Sequence, residues 1–277
     1  MFHDLICTQL ILPYVKRDFY EGHLSEAAGN KFFAHEKPND SVRPVIIGST
    51  WRRALASLSV AEVNSDVANF LMSTYDNFLK FACQKDGATR CAQITQLIAS
   101  NLEAHDVDNP LVVMQIDIIN AFCPVRKRAQ FDVLAERASM SCDNRNVRDG
   151  DMIPCASSLR KYWGYFQTMQ GHSLTLRLTD HRGQPHHLTC SKGGQQGDGF
   201  ETVRFAVTIH PSIGCVFQRH DDCTWAAICD DTFVVAPLQE ALASVAKLKL
   251  ILKQDLDLDL DVPKFNCNVP GNRFNDN

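Results

Sequence analysis

The feature that most constrains this chain is a pair of adjacent aspartates, Asp230 and Asp231, set between two short apolar runs within residues 225–236. Short apolar and β-branched runs on both sides of a polar pair predict a tight hairpin with half-buried strands and an exposed tip. The two carboxylates are therefore expected at the tip of this hairpin.

A second apolar strand is predicted within residues 111–122, and a single acid, Asp117, interrupts it. Two neighbouring strands that each carry an acid at the same height can hold a pair of divalent cations. Such a pair, about 4 Å apart, clamps the attacking and leaving oxygens of a phosphoryl transfer. Because the ligands would all be oxygens, the pattern favours Mg²⁺ over zinc.

Composition sets broad limits on the class of protein. With 277 residues, 45% of them hydrophobic, the chain can bury one sizeable core or two small lobes that share a core. A formal net charge of −4 excludes a surface that is basic throughout, so nucleic-acid contact must come from local patches. The cysteines include no Cys-x-x-Cys pair and indicate reduced thiols of an intracellular protein, nuclear or cytoplasmic. We expect neither secretion nor a membrane span.

Two segments suit contact with phosphate or nucleic acid. Arg43, Arg52 and Arg53 form the clearest basic cluster of the first third, and a solvated helix face and a phosphate contact are equally compatible with it. A glycine-rich turn at residues 191–199 leads into a predicted helix. Its backbone amides, at a helix N-terminus, suit a phosphate or a base.

The remaining elements follow from hydrophobic periodicity and turn residues. Helices are predicted at residues 4–20, 51–59, 62–81, 88–103, 124–138, from 157 to about 169, at 201–215 and at 238–252. A strand, turn and strand are predicted at 31–48 with Pro44 on an edge, and a hairpin at 173–190. The alternating Asp and Leu residues at 255–261 predict an edge strand whose acids form a solvated face.

Four blocks stand in this order along the chain: Asp117-x-x-x-Ala121-Phe122, Gly194-Gln-Gln-Gly-Asp198, Cys229-Asp-Asp231 and Leu260-x-x-x-Lys264. Together they resemble the palm of a reverse transcriptase of the type encoded by non-LTR retrotransposons. Residues 43–53 look like the family's fingers segment, and the resemblance covers roughly residues 30–266.

The resemblance implies an α+β fold, a right-hand polymerase palm with an antiparallel sheet backed by helices and a partial fingers subdomain. Too few residues follow Lys264 for a thumb, so we expect this lobe to be missing. It implies a fingers-like region at residues 1–105 and a palm at 106–277. The palm would hold catalytic blocks at 115–122, 191–199, 228–236 and 260–266, with a fingers-like excursion around 140–185.

The resemblance also implies an RNA-directed DNA polymerase and a role for each matching residue. Asp117 and Asp230 would ligate two Mg²⁺ ions, for which Mn²⁺ can substitute, and Asp231 would support them. Ile118, which follows Asp117, is also expected to hold the metal ions. The partners implied are an RNA template, a DNA primer, deoxynucleoside triphosphates and further domains of a longer polyprotein.

Five residues are implied to contact the nucleotide or the template. Phe122 matches an aromatic gate that clashes with a ribose 2′-hydroxyl, and this ring argues for deoxynucleotide substrates. Gln196 and Gly197 would line the nucleotide and template pocket. Lys264 resembles the basic residue that approaches the phosphates, and Arg43 would contact the triphosphate or the template.

The sequence departs from the family after the glutamine loop. Gly199 and Phe200 stand where the family has Pro-Leu, and Asp198 is expected to put an acid near a polyanion. Two other functions stay open: a catalytically silent palm that binds nucleic acid or protein, and the palm of an RNA-dependent RNA polymerase. Because His186, His187 and Cys190 lack a fourth ligand at suitable spacing, we expect no zinc site there.

Overall fold

The computed structural model describes residues 30–36, 42–73, 78–101, 109–139, 158–159, 174–179, 182–194, 198–217 and 223–268. The helix predicted at 4–20 lies outside these residues, as does nearly all of the helix predicted from residue 157. None of the described helices combines the length and the apolar composition that a membrane span requires.

Strands and helices are mixed along the chain. The described elements are β1 (Asn30–Glu36), β2 (Val42–Gly48), α1 (Thr50–Ser73), β3 (Phe78–Lys80), α2 (Gly87–Asn101), β4 (Leu111–Ile116), α3 (Lys127–Ser139), β5 (Leu174–Thr179), β6 (Pro185–Cys190), α4 (Glu201–Phe217), β7 (Thr224–Ile228), β8 (Asp231–Pro237), α5 (Leu238–Leu256) and β9 (Asn266–Asn268). A 3₁₀ turn, Val262–Lys264, precedes β9.

A five-stranded sheet with the order β3-β7-β8-β4-β9 forms the centre of the fold. The predicted acidic hairpin is confirmed, because β7 and β8 pair antiparallel and Ile228 lies opposite Asp231. The predicted strand that leads to Asp117 is also confirmed: β4 pairs antiparallel with β8, and Ile116 lies opposite Thr232. These two pairings bring both acidic segments to the same end of neighbouring strands.

Helices α4 and α5 pack against one another beside this sheet, and their apolar residues join the main core. On α5 the buried face repeats at helical spacing through Val245, Leu248 and Leu252, while lysines such as Lys249 lie on the exposed side. From the sheet, Trp225 is completely buried in the same core. The core therefore holds the strand ends that carry the acids in place.

A second sheet has four strands in the order β2-β1-β5-β6. Both hairpins predicted for it are confirmed, and β2, which contains Pro44, is an edge strand as expected. An edge position suits proline because the residue lacks a backbone N–H to donate to a further strand.

The structure differs from the predicted elements in three places. Helix α1 runs from Thr50 to Ser73 without the expected break near residue 60, and residues predicted as the end of a helix form β3. β3 is a strand because its backbone pairs in parallel with β7, a partner that local periodicity does not reveal. The edge strand predicted at 255–261 is also wrong, because α5 continues to Leu256 and Asp257 follows in the left-handed conformation, while Leu260 forms a single bridge with Ile118.

Candidate functional site

Three carboxylates converge at the end of the central sheet. Asp117 directly follows β4, and Asp231 is the first residue of β8. Because Ile116 pairs with Thr232, one further step along this register places Asp117 beside Asp231. Asp230 lies in the two-residue turn before β8. We call this group, together with Asp261 and Lys264, the acidic edge.

The turn that carries Asp230 has a special backbone conformation. Cys229, its first central residue, has a φ of 47°, in the left-handed region. A positive φ at this position is a property of the tight turns that match the twist of a two-residue hairpin. The turn therefore fixes Asp230 and Asp231 at the tip, as the sequence predicts.

The three carboxylates influence one another electrostatically. Partial burial raises the pKa of Asp231, and the negative charges of Asp230 and Asp117 raise it further. A hydrogen bond from the side chain of Gln115 acts in the opposite direction. Mutual repulsion of this kind is relieved when a cation binds between the acids.

Lys264 brings a positive charge to the acidic edge. Its Nζ lies 2.6 Å from Oδ2 of Asp117 and 2.6 Å from Oδ2 of Asp261. The hydrogen bond to Asp117, followed by that to Asp261, raises the pKa of Lys264 well above its usual value. The backbone reinforces this arrangement, because the amide of Asp261 donates to the carbonyl of Asp117 over 2.9 Å. Lys264 is therefore held directly against Asp117.

The donor chemistry of the acidic edge suits a hard cation such as Mg²⁺, since all of its acidic groups offer oxygen. The carbonyl of Ile118 accepts a long 3.5 Å hydrogen bond from Ala121 and adds a further oxygen beside Asp117. Among the described residues, however, no group of three His, Cys, Asp or Glu side chains is arranged to hold a metal ion. A metal at this edge would require the carboxylates to turn toward one another.

Phe122 lies five residues beyond Asp117 and is half buried. Its ring packs against that of Phe205 on α4, with centroids 4.8 Å apart and planes inclined by 49°. Its carbonyl accepts a 2.7 Å hydrogen bond from the amide of Gly194. The ring therefore lies between the main core and the glycine-rich loop.

Gly193 and Gly194 of that loop both donate their amides to backbone carbonyls. Gly193, with a φ of 65°, donates to the carbonyl of Val125 over 2.7 Å, and a Cβ there would overlap the carbonyl of Cys123. A Cβ on Gly194 would overlap Glu201 and Arg204. These two amides are thus committed to carbonyl partners, which contradicts the expectation that they serve a phosphate. Gln196 and Gly197 lie outside the described residues.

Four charged side chains lie buried beneath this loop, and we call them the buried charge cluster. Arg52 on α1 donates to Oδ2 of Asp198 through Nε at 3.0 Å and Nη2 at 2.6 Å. Arg204 pairs with Glu201 one turn away on α4. All four side chains are at most 3% exposed. Burial raises the pKa of Glu201 to about 7, although Arg204 acts to lower it.

The buried charge cluster corrects two expectations. Arg52 does not face a phosphate or solvent, because Asp198 already takes its guanidinium in the interior. Asp198 does not present an acid to a polyanion, since that carboxylate is neutralised and also accepts from the amide of Phe200. Arg53 is exposed, so only this member fits a solvated helix face.

The structure describes the side chains of some of the other predicted residues but not of others. Arg43 lies on β2 opposite His35, in the four-stranded sheet, and its side chain lies outside the description. His186 and His187 are exposed on β6. Lys80, a completely buried lysine at the end of β3, is not among the predicted site residues, because residues 62–81 are predicted as a helix. The sequence signal for a buried lysine is its position inside the apolar run 78–82.

A cavity of about 270 Å³ opens beside the turn that follows Asp117. Its lining residues are Ile119, Asn120, Cys123, Pro124, Asp257 and Asp259. Both acids are paired with lysines: Asp257 lies 2.9 Å from Lys192, and Asp259 lies 2.8 Å from Lys253. These ion pairs neutralise much of the acidic face predicted at 255–261.

Comparison with solved structures identifies telomerases that share the fold. The telomerase of Candida albicans, in complex with the TWJ fragment of telomeric RNA, matches 92% of this chain and 45% of its own, with a TM-score of 0.60 and 11% identity. An apo telomerase of Candida tropicalis, truncated from its C-terminal domain, matches 95% of this chain and 55% of its own, with a TM-score of 0.58 and 12% identity.

The Candida tropicalis telomerase in complex with the TWJ fragment matches 87% of this chain and 41% of its own, with a TM-score of 0.58 and 9% identity. The chain spans about half the length of these structures. No family model matches the sequence, and no curated protein matches it. The structural matches show that this chain has a reverse transcriptase-like fold.

Proposed function

We propose that this chain, which has a reverse transcriptase-like fold, is the catalytic domain of an RNA-directed DNA polymerase that adds deoxynucleotides to a primer 3′-hydroxyl. The observation that carries the proposal is the convergence of Asp117, Asp230 and Asp231 from segments far apart in sequence. They meet at one end of the central sheet of this fold.

Asp117 and Asp230 would hold the metal ions of such a reaction, with Asp231 beside them and the carbonyl of Ile118 as a further oxygen. Two Mg²⁺ ions bound there would lower the pKa of the primer 3′-hydroxyl and neutralise the leaving pyrophosphate, and Mn²⁺ would substitute for them. Asp231 shares the negative charge of the patch; partial burial, followed by repulsion from Asp230 and Asp117, raises its pKa, and a cation would relieve the repulsion.

The chain's other residues would position the nucleotide. Lys264 lies on Asp117 and is 57% exposed, so it can exchange this carboxylate for a phosphate oxygen of an incoming nucleotide. The ring of Phe122, held by Phe205, would exclude a 2′-hydroxyl and select deoxynucleotides. We assign Gln196 and Gly197 to the nucleotide and template pocket, and Arg43 to the triphosphate or template.

The partners of the proposed enzyme are an RNA template and a DNA primer. A telomerase that shares the fold is in complex with a fragment of telomeric RNA, which supports an RNA partner for this chain. The four sequence blocks favour origin in a non-LTR retroelement, where the chain would be one part of a longer polyprotein with palm and fingers regions.

The test is incorporation of deoxynucleotides on a primed RNA template with and without Mg²⁺. Asp230→Asn should lower the rate by at least about 100-fold, since even the outer-shell partners of metal sites are each worth about 10–100-fold. Asp132→Asn is the matched control, because Asp132 is a 72% exposed acid on α3 and should leave the rate unchanged. Equal rates for the two variants would remove the proposed metal site.

One observation favours a second function, a catalytically silent nucleic-acid-binding module. Nζ of Lys264 lies 2.6 Å from Oδ2 of Asp117 and so takes a carboxylate oxygen that a metal ion would need. RNA binding without Mg²⁺-dependent incorporation would establish this module. Faster incorporation of ribonucleotides than of deoxynucleotides in the same assay would identify an RNA-dependent RNA polymerase instead.

A further inference from the structure

The glycine-rich loop at residues 191–199 is attached to the rest of the protein near both ends. Near its first end, the amide of Gly194 donates to the carbonyl of Phe122 over 2.7 Å. Near its last end, Asp198 forms a buried ion pair with Arg52 on α1. Three residues separate the two attachment points, so a stretch of at most about 14 Å is held from both sides.

The carboxylate of Asp198 uses both of its oxygens. Oδ2 accepts from Nε of Arg52 at 3.0 Å and from Nη2 at 2.6 Å. Oδ1 accepts from the amide of Phe200 at 3.0 Å, and the carbonyl of Asp198 accepts from the amide of Glu201, the first residue of α4, at 3.0 Å. Asp198 therefore binds the end of the loop to α1 and to the start of α4.

Apolar packing brings the same end of the loop against α1. A Cβ on Gly199 would lie 3.5 Å from Cβ of Ala56, which is one turn beyond Arg52. Phe200 is completely buried and belongs to the same apolar cluster as Ala56. The ion pair between Arg52 and Asp198 therefore lies in an interior that excludes water, and both of its side chains are 1% exposed.

Arg52 also contacts the strand that precedes α1. Its amide donates to Oγ of Ser49 at 3.3 Å, in the first turn of the helix. A Cβ on Gly48, the last residue of β2, would lie 2.8 Å from Cδ of Arg52, so the aliphatic stem of the arginine lies against the end of the strand. β2 also carries Arg43. Arg52 thus contacts both elements to which the proposed function assigns nucleotide contacts, β2 and the glycine-rich loop.

The burial of this ion pair makes the attachment strong. A buried charge that loses its partner is strongly destabilised, because no water replaces the lost hydrogen bonds. Among the described residues, Nη1 of Arg52 has no hydrogen-bond partner, so Asp198 is the acceptor that holds this guanidinium in place. The end of the loop cannot leave α1 without separating two buried charges.

We infer that Arg52 and Asp198 are positioning residues of the proposed site: their buried ion pair fixes the glycine-rich loop against α1 and β2 and so sets the geometry of the nucleotide pocket. This inference rests on the proposed function. Because both side chains are buried, they act on the nucleotide only through the backbone of the loop. Loss of the pair weakens nucleotide binding and leaves the metal affinity of the acidic edge unchanged.

Amide hydrogen exchange tests the attachment without any substrate. The double variant Arg52→Met with Asp198→Leu replaces both charges by apolar side chains, a change that is often neutral for the stability of the whole protein. Because the loop would then open locally, we expect the amides of Gly194 and Glu201 to exchange at least about tenfold faster, while the amides of β4 keep their rates. Unchanged exchange in the loop, or equal acceleration in the loop and in β4, would overturn the inference.

Asp198→Asn serves as a second variant if the double variant does not fold. It keeps the shape of the side chain and an oxygen for the amide of Phe200, and it removes the charge that faces Arg52. The same local acceleration is expected. Arg53→Met is the matched control, because Arg53 is the adjacent exposed residue of α1, and its loop amides should exchange within about twofold of the natural rate. Acceleration as large as that of the pair variants would count against a specific attachment.

Steady-state incorporation on a primed RNA template distinguishes positioning from a general loss of structure. In the double variant the KM for the deoxynucleotide should rise about tenfold while kcat changes less than about threefold, because the lost interaction acts on nucleotide binding. The Mg²⁺ concentration that gives half of the maximal rate should stay within about twofold, since the acidic edge is a separate site. An unchanged KM, or a fall in kcat alone, would contradict the positioning role. If the natural chain incorporates no deoxynucleotide, the proposed function fails, and the exchange rates still decide whether the ion pair holds the loop.

Discussion

The acidic edge and the buried charge cluster differ in their balance of charge and in their exposure to solvent. In the buried charge cluster two arginines face two acids, and all four side chains are at most 3% exposed. In the acidic edge the acids Asp117, Asp230, Asp231 and Asp261 outnumber the one basic member, Lys264, which is 57% exposed. In the buried charge cluster the positive and negative side chains are equal in number and shielded from solvent. The acidic edge carries an excess of negative charge at a position that water and ions can reach.

This difference separates structural charges from candidate functional charges. A buried and balanced cluster cannot bind a further ion without losing a partner that it needs in a low-dielectric interior. An exposed group with more acids than bases loses little free energy when a metal ion replaces its lysine. The comparison predicts that substitutions in the buried charge cluster lower stability most, whereas those in the acidic edge act mainly on the proposed polymerase activity.

The largest effect is expected from Arg52→Met. Asp198 would remain buried without its guanidinium partner, and breaking a buried pair in this way costs about 3–5 kcal/mol. Urea denaturation monitored by circular dichroism measures the loss. Arg53→Met, which removes the same charge at the adjacent exposed position, should change the free energy of unfolding by less than about 0.5 kcal/mol.

The double variant Arg52→Met with Asp198→Leu sharpens this test. Replacing both partners of a buried pair by apolar side chains is often neutral or stabilising, so most of the lost stability should return. If the double variant is as unstable as Arg52→Met alone, the loss comes from packing and the assigned pairing does not explain it.

An intermediate effect is expected from the titration of Glu201. Its pKa is raised to about 7 in the folded protein, so the folded state binds the proton more tightly than the unfolded state does. This contribution to stability is complete below the unfolded pKa, near 4.5, and is lost as the pH rises through 7. The slope over this window approaches roughly 1.4 kcal/mol per pH unit.

Glu201→Gln isolates that contribution. The free energy of unfolding of the natural chain should fall relative to the variant between pH 5 and pH 7.5 and then level off. Urea denaturation at several pH values measures the difference. Parallel pH profiles for the two proteins would show that Glu201 remains ionised beside Arg204 throughout.

The smallest effect on stability is expected at the acidic edge. Lys264→Met removes two exposed ion pairs, and exposed pairs contribute about 0.2–1 kcal/mol each. Lys253→Met is a matched control, because Lys253 is 51% exposed and pairs with both Asp257 and Asp259. Thermal denaturation should give similar small losses for both variants. A loss above about 3 kcal/mol for Lys264→Met alone would contradict the division between the two regions.

The local sequence pattern was sufficient to predict an element that pairs with its neighbour in sequence. The hairpin around Asp230 and Asp231 and the two hairpins of the four-stranded sheet all follow from alternation and turn residues. Local pattern failed at β3, whose partner strand β7 begins more than 140 residues later in the sequence. It also failed for Arg52 and Asp198, which pair over 146 positions.

The amino-acid sequence by itself determined the acidic hairpin, the strand before Asp117 and the order of the motif blocks, because these depend on neighbouring residues. Only the tertiary structure decided which charges are buried together, that Asp198 is neutralised by Arg52, and that Lys80 is buried on a strand beside β7. Electrostatic partners depend on distance in space and on exclusion of water, and neither quantity is encoded in local sequence spacing.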